Sequence, residues 1–456
     1  MVIGGGPGGY STAIRAAQLG FKTALVEESE LGGVCLNWGC IPTKALLHCA
    51  ELVHEIQNAA HYGIDVTLGQ LDIQRMVQHS RQTAGTLSKG VAYLLKKNNI
   101  THLSGRGRMV AKGELVVTQQ GQEQRYRASH IILATGASLR TLPQLPKDDP
   151  RIWNARDAMT ADSIPKHLVV IGAGAIGVEF ASFFNDIGAT VTLVEAADRI
   201  VPTEDHEISA RMEKSLIARG IRVLANTRFA TCDTSGIDLR VAVETPAGTE
   251  QLSCDRLLVA VGVQGNTADL GLEQLGVAMN GSFINTDAHS ATNVVGLYAI
   301  GDVAGAPWLA HKATHEGVTC IEHIAGLNPK PWGQRKIPGC IYARPQVASI
   351  GLSEQAAKQL GLAIKVGRFD LQANGKALAS GQGKGLVKTV IDANTGEILG
   401  AHMIGHGVSE HIQGFALAMG GELTSHEFEE TVFPHPTLSE AMHEAVLDAD
   451  GLAINQ

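Results

Sequence analysis

Two stretches of the chain repeat one pattern: a short apolar run, a glycine-rich break, then a helix-like segment with its apolar positions on one face. The breaks are GGGPGG at residues 4 to 9 and GAGAIG at 172 to 177, and both fit G-x-G-x-x-G. Before the second stands His167-Leu168-Val169-Val170-Ile171, the length of a buried parallel strand, whereas only Met1-Val2-Ile3 precedes the first. The copies stay in register downstream: Glu27 lies 18 residues after Gly9, and Glu195 lies 18 residues after Gly177. A second apolar run ending in small residues follows each unit, at 130 to 138 and at 256 to 263, as a chain re-entering the same sheet would produce.

One such loop is weak, because strand-to-helix turns rich in glycine also arise from packing. Doubled, with strand, helix and acid at matching offsets, the pattern predicts two dinucleotide-binding units. Gly4 and Gly172 would allow the tight turn, Gly6 and Gly174 the approach of a pyrophosphate, and Gly9 and Gly177 the packing of helix on strand. Glu27 and Glu195 would hold ribose hydroxyls. A carboxylate at the second position accepts from NAD and repels the extra phosphate of NADP, with Arg199 nearby as the one feature that favours NADP.

Turn-rich segments at 142 to 151, 263 to 266 and 329 to 339 suggest boundaries. Beyond the last, strand-like runs at 385 to 392 and 398 to 405 alternate with a helical one at 409 to 420, which reads as an α+β domain without a nucleotide motif. The expected fold class is α/β: two doubly wound Rossmann-like dinucleotide-binding domains plus a C-terminal α+β domain. The expected segments are 1–145, 146–265, 266–336 and 337–456.

Composition changes this picture in three places. Hydrophobic residues make up 44% of the 456 and charged residues 18%, and no stretch approaches the roughly 20 apolar residues of a membrane helix, so neither a disordered nor a membrane-spanning chain is expected. A formal charge of −8 disfavours nucleic-acid binding. The 52 glycines exceed the roughly 32 that average usage gives, and the 7 cysteines are an odd number in a chain too long to need disulfide staples. The opening residues MVIGGGPGGY show no leader peptide, and a cytoplasmic, reducing location is expected.

Cys35 and Cys40 stand five apart in GGVCLNWGCIPTK. In a regular helix such residues lie about 8.6 Å apart, beyond the roughly 7 Å limit for a bridge, so closure needs irregular backbone. Gly39 and Pro42 could supply it. Two buried free thiols are the ordinary alternative, but the place directly behind a nucleotide loop favours a redox pair.

GGVCLNWGCIPTK resembles the redox segment of the pyridine nucleotide-disulfide oxidoreductases, and the resemblance continues along the chain through ATG at 134 to 136, GAGAIGVE, GLYAIGDVAG at 296 to 305 and HPTLSE at 435 to 440. It implies FAD on the first unit, held by Gly4, Gly6, Gly9, Glu27, Thr135, Gly136 and Asp302, and NAD on the second, held by Gly172, Gly174, Gly177, Glu195 and Gly262. A plain helix N-cap is the other reading of Asp302. Cys40 would be the thiol against the flavin and Cys35 the outer thiol that a substrate dithiol attacks. Lys44 and Glu179 look like the family's ion pair beside the flavin, and His435 with Glu440 like its base and orienting carboxylate. Thr437-x-x-Glu440 also has capping-box form, a role that could coexist with the first only in part.

The resemblance points most closely to the members that oxidise protein-bound dihydrolipoamide with NAD. It implies a homodimer with His435 and Glu440 supplied across the interface. It also implies partners in the lipoyl domains and acyltransferase core of a 2-oxo acid dehydrogenase-type, acetoin or glycine-cleavage complex. Mercuric reductase or another disulfide reductase is the alternative, though no cysteine follows Cys340; a non-catalytic complex subunit is a third. The histidine pairs His311/His315 and His402/His406 have i, i+4 spacing, but the second falls in a strand-like run and no metal is expected. Several positions depart from the family: the short first strand, which suggests that Met1 is not the native start, VQGN at 263 to 266, Arg344, Gln346 and Phe433-Pro434.

Overall fold

The computed structural model describes residues 1–146, 148–332 and 337–456. Residues 147 and 333–336, inside two of the expected boundary segments, lie outside the described residues.

The run His167–Ile171 is buried along its whole inner length, because a parallel strand covered on both faces must be apolar throughout. It forms the centre of a five-stranded parallel sheet in the order 152–153, 256–259, 167–171, 190–194, 222–224. The first unit builds the same sheet in the same order from 297–299, 131–133, 2–3, 24–27 and 101–104. Its central strand is only Val2–Ile3. In both units the glycine loop leads into a twelve-residue helix, Pro7–Gln18 or Ala175–Asp186.

Each unit also carries a three-stranded antiparallel sheet before its returning strand: Arg106–Ala111, Glu114–Gln119 and Gln122–Arg127 in the first, Arg228–Asp233, Leu239–Thr245 and Gly248–Cys254 in the second. The segment 263 to 266, expected as a turn, differs: Val263–Gly265 pairs antiparallel with Ala137–Leu139 and ties the two units together. The third segment gives strand Leu297–Ala299 to the first sheet and helix Ala310–Ile324, which packs on Pro7–Gln18.

The C-terminal part is a five-stranded antiparallel sheet, order 339–341, 346–351, 398–405, 386–392, 364–370. Helices Val408–Gly420 and Glu440–Ala449 cover one face around Phe369, Phe415, Met403 and Ala445. No helix among the described residues is long and apolar enough to cross a membrane.

Candidate active site

The two glycine loops are near copies in geometry. Gly4 and Gly172 have φ of +107° and +99°, where side chains are rarely tolerated, and a Cβ on either would strike the carbonyl oxygen of Ala134 or Ala260. A Cβ on Gly9 or Gly177 would overlap the carbonyl oxygen of Gly4 or Gly172. The middle glycines are different. Gly6 and Gly174 have ordinary extended backbone, and a Cβ would meet nothing closer than 3.9 Å at Gly6 and nothing within 4 Å at Gly174. Neither backbone nor packing demands glycine there, and no side chain caps either helix. Open space in front of uncapped N–H groups is what a pyrophosphate needs, so both loops fit a dinucleotide.

Glu27 accepts from the Gly5 N–H at 2.6 Å and the Ser29 N–H at 2.8 Å; Glu195 accepts from Ala173 at 2.7 Å and Ala197 at 2.8 Å. Each acid thus braces its loop, a role that the ribose argument did not anticipate, and a carboxylate retains further lone pairs for hydroxyls. Thr135 and Asn266 exchange hydrogen bonds at 2.8 and 2.9 Å, fixing the end of the returning strand before Gly136. Gly262 (φ +95°) makes the corresponding turn in the second unit. Arg199 is engaged by Asp198 at 3.0 Å and the Pro202 carbonyl at 2.8 Å.

Asp302 does not cap a helix; its short helix Gly301–Ala304 follows Ile300, and its carboxylate has no hydrogen-bond partner among the described residues. Burial pushes its pKa up, with Lys312 pulling the other way. The preceding peptide is clamped: Glu316 accepts from the Gly301 N–H at 2.7 Å, and Lys312 donates to the Gly301 and Gly305 carbonyls at 3.2 and 2.9 Å. Lys312 and Glu316 pair at 3.1 Å and are almost wholly buried. The sequence argument missed this pair. Its only sequence signal was an i, i+4 pair of charges on a helix face that otherwise packs inward.

Cys35 and Cys40 form a disulfide with Cα atoms 4.7 Å apart. The closeness comes from a break at Gly39, which ends helix Gly33–Trp38 and starts Cys40–Asn58. Pro42 lies in the first turn of the second helix, where its missing N–H costs no hydrogen bond, so Gly39 alone supplies the irregularity. Asn37 holds the short helix to the loop through the Leu31 and Gly33 carbonyls, both at 3.0 Å.

One turn beyond Cys40, Lys44 reaches both Glu179 oxygens at 2.9 Å. Glu179 is 7% exposed and Lys44 32%. Glu440 serves two partners at once: Oε1 faces His435 Nδ1 at 2.8 Å and Oε2 accepts from the Thr437 N–H at 2.7 Å. Helix Glu440–Ala449 begins at Glu440 with Ser439 as its N-cap, so the capping box does not form, and the Thr437 hydroxyl donates to the Pro434 carbonyl instead. Burial raises the Glu440 carboxyl, but the Thr437 amide and His435 outweigh it and the net shift is downward. His435 is 77% exposed and has no hydrogen-bond partner but Glu440 among the described residues.

The departures have local partners. Arg344 pairs with Asp186 and lies 3.2 Å from His54 Nε2; Gln346 accepts from the Ser409 hydroxyl at 3.0 Å; Phe433 stacks on His443 at 5.1 Å. His311 faces the Pro338 carbonyl, His315 stacks on Trp332, His402 faces the Leu352 carbonyl and His406 lies near Glu51. No group of three potential ligands gathers among the described residues.

The chain belongs to the pyridine nucleotide-disulphide oxidoreductases: the family model matches residues 1–317, and that of the family's dimerisation domain matches 337–446. Among its relatives, the dihydrolipoyl dehydrogenases of Zymomonas mobilis and Rhizobium etli are 49% and 48% identical over 100% of this chain and 98% of their own. Among solved structures, LpdA of Mycobacterium tuberculosis superposes with a TM-score of 0.91 at 28% identity, over 98% of both chains.

Proposed function

We propose that the protein is a dihydrolipoyl dehydrogenase that oxidises protein-bound dihydrolipoamide with NAD, using FAD and the Cys35–Cys40 disulfide. The observation that carries this reading is that disulfide, closed by the helix break at Gly39, directly behind a loop fit for a dinucleotide. Segment 1–145 would hold FAD with help from 266–336, segment 146–265 would hold NAD, and 337–456 would form the interface of a homodimer. Relatives named dihydrolipoyl dehydrogenase at nearly half identity support the substrate.

His435, held by Glu440 of its own chain, takes a proton from one substrate thiol across the dimer interface. The thiolate attacks Cys35 Sγ, breaking the disulfide and leaving Cys40 as thiolate. The second substrate thiol then displaces Cys35 from the mixed disulfide, its proton passing to the departing Cys35 sulfur, which gives the oxidised lipoyl ring. FAD, held at the first glycine loop, would supply an electron sink for the Cys40 pair and a source of hydride for NAD. Lys44, fixed by Glu179, keeps a positive charge on that side; Gly6 and Gly174 admit the pyrophosphates; Glu27, Thr135 and Asp302 orient the flavin nucleotide, and Glu195 the NAD ribose.

The partners would be lipoyl domains and the acyltransferase core of a 2-oxo acid dehydrogenase-type complex, in the cytoplasm. Anaerobic addition of one equivalent of dihydrolipoamide to the holoenzyme tests the chemistry. A long-wavelength charge-transfer band, and NADH formation once NAD is then added, are expected, and their absence overturns the reading.

A further inference from the structure

Tyr342 follows strand Gly339–Ile341 of the C-terminal sheet and meets the Lys44–Glu179 pair twice. Its N–H donates to Glu179 Oε1 at 2.9 Å, and its ring centroid lies 4.4 Å from Lys44 Nζ. Two residues on, the Arg344 N–H donates to the Ser182 hydroxyl at 3.0 Å, so alternate residues of this extended segment grip helix Ala175–Asp186 one turn apart.

We propose that Tyr342 is a positioning residue for the ion pair: its ring face holds the Lys44 ammonium and its backbone holds the Glu179 carboxylate. The inference rests on the reading that this pair stands beside the flavin.

Lysine is a point charge on a flexible stem, and the buried Glu179 carboxylate alone leaves its one-third-exposed ammonium loosely oriented. Here the carboxylate fixes the ammonium on one side and the ring's negative face on another, inside the roughly 6 Å range of cation–π attraction. The phenol stays neutral in this role, since burial first, and then Cys340 and Glu179, push its pKa up to about 12. Burial likewise raises the thiol of Cys340 to about 11. Three parts of the chain thus meet on one charge: Lys44 from the cysteine helix, Glu179 from the second unit and Tyr342 from the C-terminal domain.

The test compares wild type, Tyr342→Leu, Tyr342→Phe and pentafluorophenylalanine at 342, each as FAD-loaded holoenzyme reduced anaerobically with one equivalent of dihydrolipoamide. The fluorinated ring keeps the shape but reverses the quadrupole. The charge-transfer band should fall about threefold in Tyr342→Leu and in the fluorinated variant at unchanged FAD content, and be retained in Tyr342→Phe. A wild-type band in either of the first two overturns the proposal, as does loss in Tyr342→Phe, which would assign the effect to the hydroxyl. Should Tyr342→Leu not fold, the fluorinated variant decides. A wild type without the band overturns the functional reading and this inference together; a normal wild type beside an unaffected fluorinated variant overturns the inference alone.

Discussion

In the first unit the chain runs from Glu27 into the cysteine helix and reaches Cys35 eight residues later; in the second, Glu195 leads only to Arg199 and a turn closed on Pro202. Up to those acids the units agree in strand order, in the φ of their first glycines and in the amides that their carboxylates brace. Their fifth strands diverge again. Leu297–Ala299 leads to the half-buried Asp302, whereas Ile152–Trp153 leads to Asn154, which caps a helix through the Arg156 and Asp157 N–H groups. The comparison teaches that the duplicated scaffold binds, while the chemistry is placed where the copies differ.

The largest break in that comparison is Cys35→Ser. It leaves both loops untouched, and dihydrolipoamide oxidation should fall on the order of 10⁴-fold, as when an essential nucleophile is removed. Assays with NAD and dihydrolipoamide at matched FAD content check this; a loss below tenfold would place the chemistry elsewhere.

Next comes the pair Gly9→Ala and Gly177→Ala. Each new Cβ would overlap a loop carbonyl, and the backbone shift that relieves it should cost about 1–3 kcal/mol of local stability. The consequences should separate by unit. Gly9→Ala should purify without yellow colour, while Gly177→Ala should keep its FAD and lose NAD saturation. Loss of flavin in both would show that the two loops do not act independently. Glu27→Gln and Glu195→Gln should separate in the same way but more gently, because each weakens charge-assisted hydrogen bonds worth about 1.5–3 kcal/mol without filling space. A rise of about tenfold in KM for NAD is expected from Glu195→Gln alone.

The parts of this design legible in the sequence are those where a local rule leaves one residue type. Gly9 and Gly177 are forced by the Gly4 and Gly172 carbonyl oxygens five residues earlier, Gly4 and Gly172 by their positive φ, and the five-residue cysteine spacing is closed by Gly39 between them. Lys44 was legible on the family motif, one turn beyond Cys40. What escaped depends on distant partners. The antiparallel sheets at 106–127 and 228–254 keep exposed positions along their strands, and no glycine motif marks them in the sequence. Val263–Gly265 becomes a strand only because Ala137–Leu139, more than a hundred residues earlier, offers it an edge. Lys312 and Glu316 look like a solvated pair until Gly301 is placed between them.

The smallest expected effect concerns the acid that has no counterpart in the second unit. Burial raises the Asp302 pKa above the ordinary aspartate value of 3.8, with Lys312 lowering it and Glu316 raising it. The folded state therefore binds the proton more tightly than the unfolded one. The sign follows: the handicap is absent below the unfolded pKa, grows as pH rises through the folded pKa, and stays constant above it. Asp302→Asn removes the ionised form. In flavin-stripped protein it should raise Tm at pH 8 by no more than about 2 °C and leave Tm unchanged near pH 3. Flavin retention should move the other way, since the acceptor offered to the cofactor is weakened. Thermal melts at both pH values, paired with flavin absorbance, check the two together. A lower Tm at pH 8 would mean that Asp302 stabilises the fold, as Asn154 does through its helix cap, and the contrast between the two fifth strands would then vanish.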